Sequence, residues 1–389
     1  MKVLLVNDVA AAIGGAEILT YDLRGELLLR GHDARVFASD AHGAGDCEPD
    51  YLCFGTIGEL RTLNRAANPR ARATLKRVLK AFQPDVVHVR MFMTQLSPLI
   101  LPLLRDRPAV YNAPWYETIC PTGLKLFPDG SRCEEPAGRA CRRCLSRRAW
   151  VALMGQRRLL AKRIDAFDVI VANSETTRAK LAEYGVDATR MIYNGVPSRP
   201  MRPSPGDTPI IGYSGRLSHE KGVDTLVDAF ARVTETLPDA QLLLVGDGPL
   251  RSPIEARVGS NGWGSRVTMT GHRSRDEAER EMNAAWIQAT PSLLEEPFGI
   301  AAAEAMMRGT AIVASAGGGL GEIVEAGCGG VLVPAGDPDA LAAALIELVC
   351  DRERIERLGA AGRRWALDNV SVERCVDQFV ELYEELTKR

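Results

Sequence analysis

Short, near-continuous apolar runs separated by amphipathic stretches recur along the whole chain, and this rhythm limits the fold more than any other feature. Residues 3–6, 34–38, 86–89, 109–112 and 169–172 each read as a strand buried on both faces, because their apolar residues do not alternate with polar ones. Such strands belong to parallel sheets covered by helices, and helical patterns fall between several of them. Residues 196–209 then hold Pro197, Pro200, Pro203, Pro205 and Pro209. Proline suits neither a helix interior nor a central strand, so this stretch reads as a linker. Beyond it the rhythm restarts with strands at 210–213, 241–245, 267–270, 287–289, 311–314 and 331–333. A chain of 389 residues exceeds one ordinary core and fits two α/β domains of about 190 residues. The expected architecture is two Rossmann-like, doubly wound domains, 1–196 and 197–370, facing across a cleft. A helix over 371–389, with Val376, Phe379, Val380, Tyr383 and Leu386 on one face, docks on one or both.

With 48 basic and 50 acidic residues the chain carries a net charge of −2, which argues against general nucleic-acid binding. The longest apolar candidate for a membrane span, 96–104, is short and contains Pro98 and Pro102. The first apolar run meets Asn7 and Asp8 at once, unlike a signal peptide, so a cytoplasmic location is expected. Basic residues crowd 139–163, including Arg139, Arg142, Arg143, Arg147, Arg148, Arg157, Arg158, Lys162 and Arg163. That segment reads either as a solvated helix face or as a platform for an anionic acceptor or an acidic membrane surface.

Nine cysteines in a reducing compartment are expected to be thiols unless they bind metal. Cys120, Cys133, Cys141 and Cys144 cluster in the stretch 114–148, which has no clear period. Their Cys-x-x-Cys end makes them candidate ligands of a structural zinc, with a stapled loop or four unrelated thiols as the other readings.

Ligands of open parallel sheets sit beyond the carboxyl ends of strands. After the first strand comes Gly14-Gly15, where the backbone can approach a phosphate or sugar and a helix start favours an anion; an ordinary strand-to-helix turn is the other reading. After the first strand of the second half comes Gly215-Arg216-Leu217, then Lys221-Gly222. A guanidinium fork beside a mobile ammonium suits a diphosphate whose charge grows as its partner leaves. The segment from Pro291 contains Glu295-Glu296-Pro297-Phe298-Gly299-Ile300 and runs into an alanine-rich helix carrying Glu304 and ending at Gly309. Glu296 therefore falls on a loop and Glu304 within the helix. The amides of Phe298, Gly299 and Ile300 would aim at an anion. An acid in so apolar a helix must meet a hydroxyl, a cation or a ligand.

The run from Glu296-Pro-Phe-Gly to Glu304-Ala-Met resembles the Glu-x7-Glu motif of the retaining glycosyltransferase family 4. Gly14-Gly15, Asn173-Ser174, Tyr193-Asn194-Gly195-Val196, Gly215-Arg216-Leu217, Lys221-Gly222 and Gly246-Asp247-Gly248-Pro249 are similar too. The resemblance implies the GT-B fold and transfer of a sugar from a UDP- or GDP-type donor to an acceptor hydroxyl. It implies Arg216 and Lys221 on the donor diphosphate, Glu304 on the ribose and Glu296 on the transferred sugar. Phe298 to Ile300 would line the same cleft, with Gly14 and Gly15 facing it. No cofactor is required for transfer in such enzymes, since the two cations stabilise the leaving group. The acceptor would be a saccharide, a cyclitol, a lipid-linked sugar or a small natural product.

One departure matters. Many relatives carry a histidine a few residues before a Cys-Pro such as Cys120-Pro121; here the counterpart is Pro114, with Asn112 and Tyr116 as nearby polar substitutes. His88 reads as a strand-end histidine, not a catalytic one. A nucleotide-sugar epimerase and a non-catalytic nucleotide-sugar-binding homologue are the alternative functions.

Overall fold

The structure is a computed structural model that describes residues 1–43 and 47–388. It divides into two compact units, one of residues 1–195 with 372–389 and one of residues 196–371.

In the first unit seven parallel strands form one sheet: β1 (Lys2–Val9), β2 (Asp33–Ser39), β3 (Tyr51–Cys53), β4 (Val86–Val89), β5 (Ala109–Ala113), β6 (Val169–Ala172) and β7 (Arg190–Met191). Their order is β3-β2-β1-β4-β5-β6-β7, so the winding reverses between β1 and β4. The absence of polar alternation in β1 has its cause here. Leu4 and Val6 enter one core with Leu75, Leu79 and Tyr111, while Val3 and Leu5 enter a second with Leu23, Leu27 and Phe379. The helix Val372–Thr387 belongs to this unit, burying Phe379 and Tyr383 in the second core. Each such ring contributes about 1.5–3 kcal/mol.

The second unit holds six parallel strands: β8 (Ile210–Ser214), β9 (Gln241–Val245), β10 (Val267–Gly271), β11 (Ile287–Thr290), β12 (Ala311–Ser315) and β13 (Gly330–Val333). Their order, β10-β9-β8-β11-β12-β13, reverses between β8 and β11. All six coincide with apolar runs of the sequence; β3 and β7, three and two residues long, were too short to show a pattern. The proline-rich stretch is not a loose tether along its length, because the Arg202 amide donates to Arg308 O at 2.8 Å and its guanidinium to Gly309 O. No helix among the described residues is long and apolar enough to cross a membrane.

Candidate active site

The reversal between β8 and β11 leaves a crevice at their carboxyl ends, where open sheets place ligands. Leaving β8, the chain is pinned to the loop after β9 by Gly215 N to Val245 O at 3.0 Å and Leu217 N to Asp247 O at 2.9 Å. The Tyr213 hydroxyl, buried at the strand end, donates to Arg216 O at 2.7 Å and fixes the backbone of an exposed arginine. Burial, with the charge of Glu296 next, pushes the Tyr213 phenol well above its ordinary range, so it stays a donor. The turn His219–Lys221 ends at Gly222, whose φ is 67°. A Cβ there would stand 1.9 Å from Pro291 O, so only glycine lets the Lys221 turn lie against the loop after β11. Leu293 N and Ser292 Oγ seal that contact on Glu220 O at 3.0 and 3.2 Å.

These contacts set Lys221 Nζ 2.9 Å from Glu296 Oε1, with the two side chains 25% and 16% exposed. The Glu296 carbonyl accepts from Gly319 N at 2.7 Å, and a Cβ on Gly318, itself at φ 63°, would clash with it. The helix Ile300–Arg308 starts from Gly299 as its N-cap. Glu304 lies one turn in and meets Arg275 Nε at 2.9 Å, so its obligatory partner in this state is a cation. Burial raises the Glu304 carboxyl above its ordinary range and Glu279 adds to this, while Arg275 and Arg308 oppose it. Behind the pair, buried Arg308 binds Glu279 at 2.6 Å and Gln288 at 2.5 Å. The sequence singled out Glu304 but not Arg275, 29 residues earlier in a capping box with Ser274 and Glu277, because nothing in spacing joins the two.

In the first unit Gly14 is the N-cap of the helix Gly15–Leu29. The amide of Gly14, expected with Gly15 to approach a ligand, already donates to the Glu17 carboxylate, as does the amide of Glu17 itself. Asp8, fully buried at the end of β1, accepts from Thr94 N and Oγ1 and from the Gln95 and Leu96 amides at 2.7–2.9 Å. His88 packs inside with Nδ1 2.5 Å from the Tyr383 hydroxyl, and burial drives its pKa well below the usual value, so it is a neutral core histidine. Asn112 and Tyr116 are 1% and 0% exposed and lie in the interior. The polar group that the sequence reading missed is Glu117, half-buried in the turn Tyr116–Thr118 that follows β5.

The four clustered thiols share a neighbourhood without forming a ligand set. Cys120 Sγ is 3.2 Å from Thr122 Oγ1, Cys141 Sγ accepts from Gly138 N at 3.4 Å, and Cys133 and Cys144 face the carbonyls of Glu135 and Leu126 at 3.9 and 3.8 Å. Among the described residues no group of three or more His, Cys, Asp or Glu is arranged to hold a metal ion. Each thiol is turned to a local partner.

Comparison with known proteins sets these features in a family. The profile of "Glycosyltransferase Family 4" matches residues 13–199 and that of "Glycosyl transferases group 1" matches residues 198–365. An alpha-D-kanosaminyltransferase of Streptomyces kanamyceticus is 31% identical over 55% of this chain and 51% of its own length. A 2-deoxystreptamine glucosyltransferase of the same organism is 34% identical over 46% of each chain. The chain thus spans about half the length of these relatives. The solved sucrose-phosphate synthase of Thermosynechococcus elongatus covers 100% of this chain and 99% of its own with a TM-score of 0.76 at 24% identity, which shows a shared fold of two Rossmann-like α/β units, the GT-B fold. With a profile matched on each unit and the Glu296 to Glu304 motif at the switch point of the second sheet, this chain belongs to the family 4 glycosyltransferases.

Proposed function

We propose that this chain is a retaining glycosyltransferase that binds a nucleoside diphosphate sugar in its second unit and transfers the sugar to an acceptor hydroxyl. The observation that carries this reading is the pair Lys221–Glu296 at 2.9 Å, on the loops where the sheet order reverses, with Glu304–Arg275 on the helix behind it. In the reaction the bond from the anomeric carbon to the diphosphate oxygen breaks, and a bond to the acceptor oxygen forms on the same face. The acceptor proton leaves with the departing diphosphate. Lys221 and the exposed Arg216 stabilise the charge that grows on that diphosphate, in the role a metal plays in other enzymes. Glu304 accepts from ribose hydroxyls and Glu296 from the sugar. The amides of Phe298, Gly299 and Ile300 complete the proposed donor set in this unit. Incubation with UDP- and GDP-sugars should release nucleotide when an acceptor is added. Tight nucleotide binding without release under any acceptor would support the binding-homologue reading instead. No observation favours an epimerase.

The acceptor that a relative suggests is an amine-bearing cyclitol, since that relative is named for glucosyl transfer to 2-deoxystreptamine. Membrane contact through segment 139–163 is a second element of the reading. Arg147, Arg148 and Val151 are exposed on the helix Arg147–Ala161, which packs beside the helix Arg61–Ala66, where Leu60 and Leu63 are also exposed. Exposed apolar groups among arginines suit an anionic bilayer surface. Sedimentation with phosphatidylglycerol vesicles, but not with phosphatidylcholine vesicles, is the expected outcome, and it should weaken with salt.

A further inference from the structure

The carboxyl edge of the first sheet gathers three acids whose cations are turned elsewhere. Glu117 is held by its backbone: its carbonyl accepts from Arg157 Nη1. Among the described residues no group donates to its carboxylate. Arg157 therefore spends a donor on a main-chain oxygen, and Arg65 does the same on Pro121 O at 2.7 Å. Burial first, and then the charges of Asp8 and Glu17, push the Glu117 carboxyl up to about 8, and Arg65 and Arg157 only partly offset this. A half-buried carboxyl with no hydrogen bond of its own is costly, and a ligand that donates to it recovers that cost.

An independent group points the same way. Asn173, 1% exposed, follows β6, and its Nδ2 reaches Pro114 O at the foot of the turn that carries Glu117. That contact fixes which end of the amide is nitrogen, and the Oδ1 is left without a partner. Once Glu117 is ionised, its carboxylate and Asn173 Oδ1 both offer hydrogen-bond acceptors. They call for a ligand dense in donors, and three neighbouring acids favour one of positive charge.

We infer that Glu117, with Asn173 beside it, binds the ammonium group of an amine-bearing cyclic polyol, and so makes the first unit selective for a cationic acceptor ring. This rests on the transferase reading for the word acceptor, while the site itself rests on the first unit alone. The ammonium donates to the Glu117 carboxylate and to Asn173 Oδ1, and ring hydroxyls complete the contact. Binding draws Glu117 to its ionised form and releases its proton to solvent.

The test is calorimetry on the full chain with two probe rings, 2-deoxystreptamine and myo-inositol, in two buffers of different ionisation enthalpy at pH 7. The wild type should prefer 2-deoxystreptamine at least about tenfold and release protons on binding it; Glu117→Gln should lose both the preference and the proton release. Glu117→Asp, which keeps the charge on a shorter stem, should retain part of the preference and answers for any loss of fold in the glutamine variant. Equal affinity for the two rings in the wild type, binding of neither, or a preference unchanged in Glu117→Gln would overturn the inference. UDP and GDP binding measured on the same preparations keeps the two readings apart, since failure to bind either nucleotide would count against the transferase and not against this site.

Discussion

In the second unit three acids at or behind the strand ends meet cations: Glu296 with Lys221 and Glu304 with Arg275 at 2.9 Å, and Glu279 with Arg308 at 2.6 Å. In the first unit the acids at the corresponding edge are treated differently. Asp8 is held by amides and a hydroxyl, Glu17 by the amides of its own helix start, and Glu117 by its backbone alone. Paired charges hold their rotamers before a ligand arrives, which suits recognition of one invariant group such as a diphosphate and its ribose. Unsatisfied acceptors leave part of the hydrogen bonding to the ligand, which suits a partner that differs from one relative to the next. The contrast assigns constancy to the second unit and selectivity to the first.

The largest effect should come from the cation that serves the departing group. Lys221→Ala removes a charge that gains importance as the bond to the diphosphate breaks, and kcat should fall by about 10²–10³. Nucleotide release assays under saturating donor measure it. A fall under threefold would mean that the pair with Glu296 is merely structural.

Next comes the brace of Glu304. Arg275→Ala removes the main charge opposing the upward shift of that carboxyl, so it should protonate at higher pH than in the wild type. Nucleotide binding should weaken by roughly tenfold near pH 6 and recover as the pH rises and Glu304 ionises. Loss independent of pH would point to a direct contact between Arg275 and the nucleotide.

The smallest effect is on stability in the first unit. Glu117 holds its proton up to about pH 8 when folded, against an ordinary value of 4.5, so the folded state binds more protons than the unfolded between these limits. Folding stability therefore declines as pH rises through this window. Glu117→Gln, which stays neutral, should match the wild type near pH 5 and melt about 4 °C higher near pH 9. Equal melting temperatures at both pH values would mean that this acid carries no buried charge.

Periodicity made most of the fold legible, because the central strands are buried on both faces and their apolar runs cannot be hidden. The edge strands β3 and β7 were not, being too short for any period. In the second unit the candidate residues Arg216, Lys221, Glu296 and Glu304 could be named from the sequence, since they sit in two short segments beside glycines dictated by close backbone approach, and folding sets Lys221 against Glu296. Arg275 and Glu117 escaped notice for a different reason: their meaning depends on neighbours 29 and 109 residues away in sequence, Glu304 and Asp8, that only folding brings near. The cysteine spacing left its alternatives open for the same reason, since a loop's path decides where each thiol turns and spacing does not record it.

The central claim is that the second unit divides donor recognition between two acids, Glu304 for the ribose and Glu296 for the sugar. Calorimetry with the bare nucleoside diphosphate, on Glu304→Gln and Glu296→Gln beside turnover, tests it most directly. Glu304→Gln should weaken nucleotide binding by about ten- to a hundredfold, the worth of a charged hydrogen bond. Glu296→Gln should leave that affinity within about twofold and lower kcat instead. If Glu296→Gln lost nucleotide affinity while Glu304→Gln kept it, the roles would be reversed; if neither changed binding or turnover, this crevice would not be the active site.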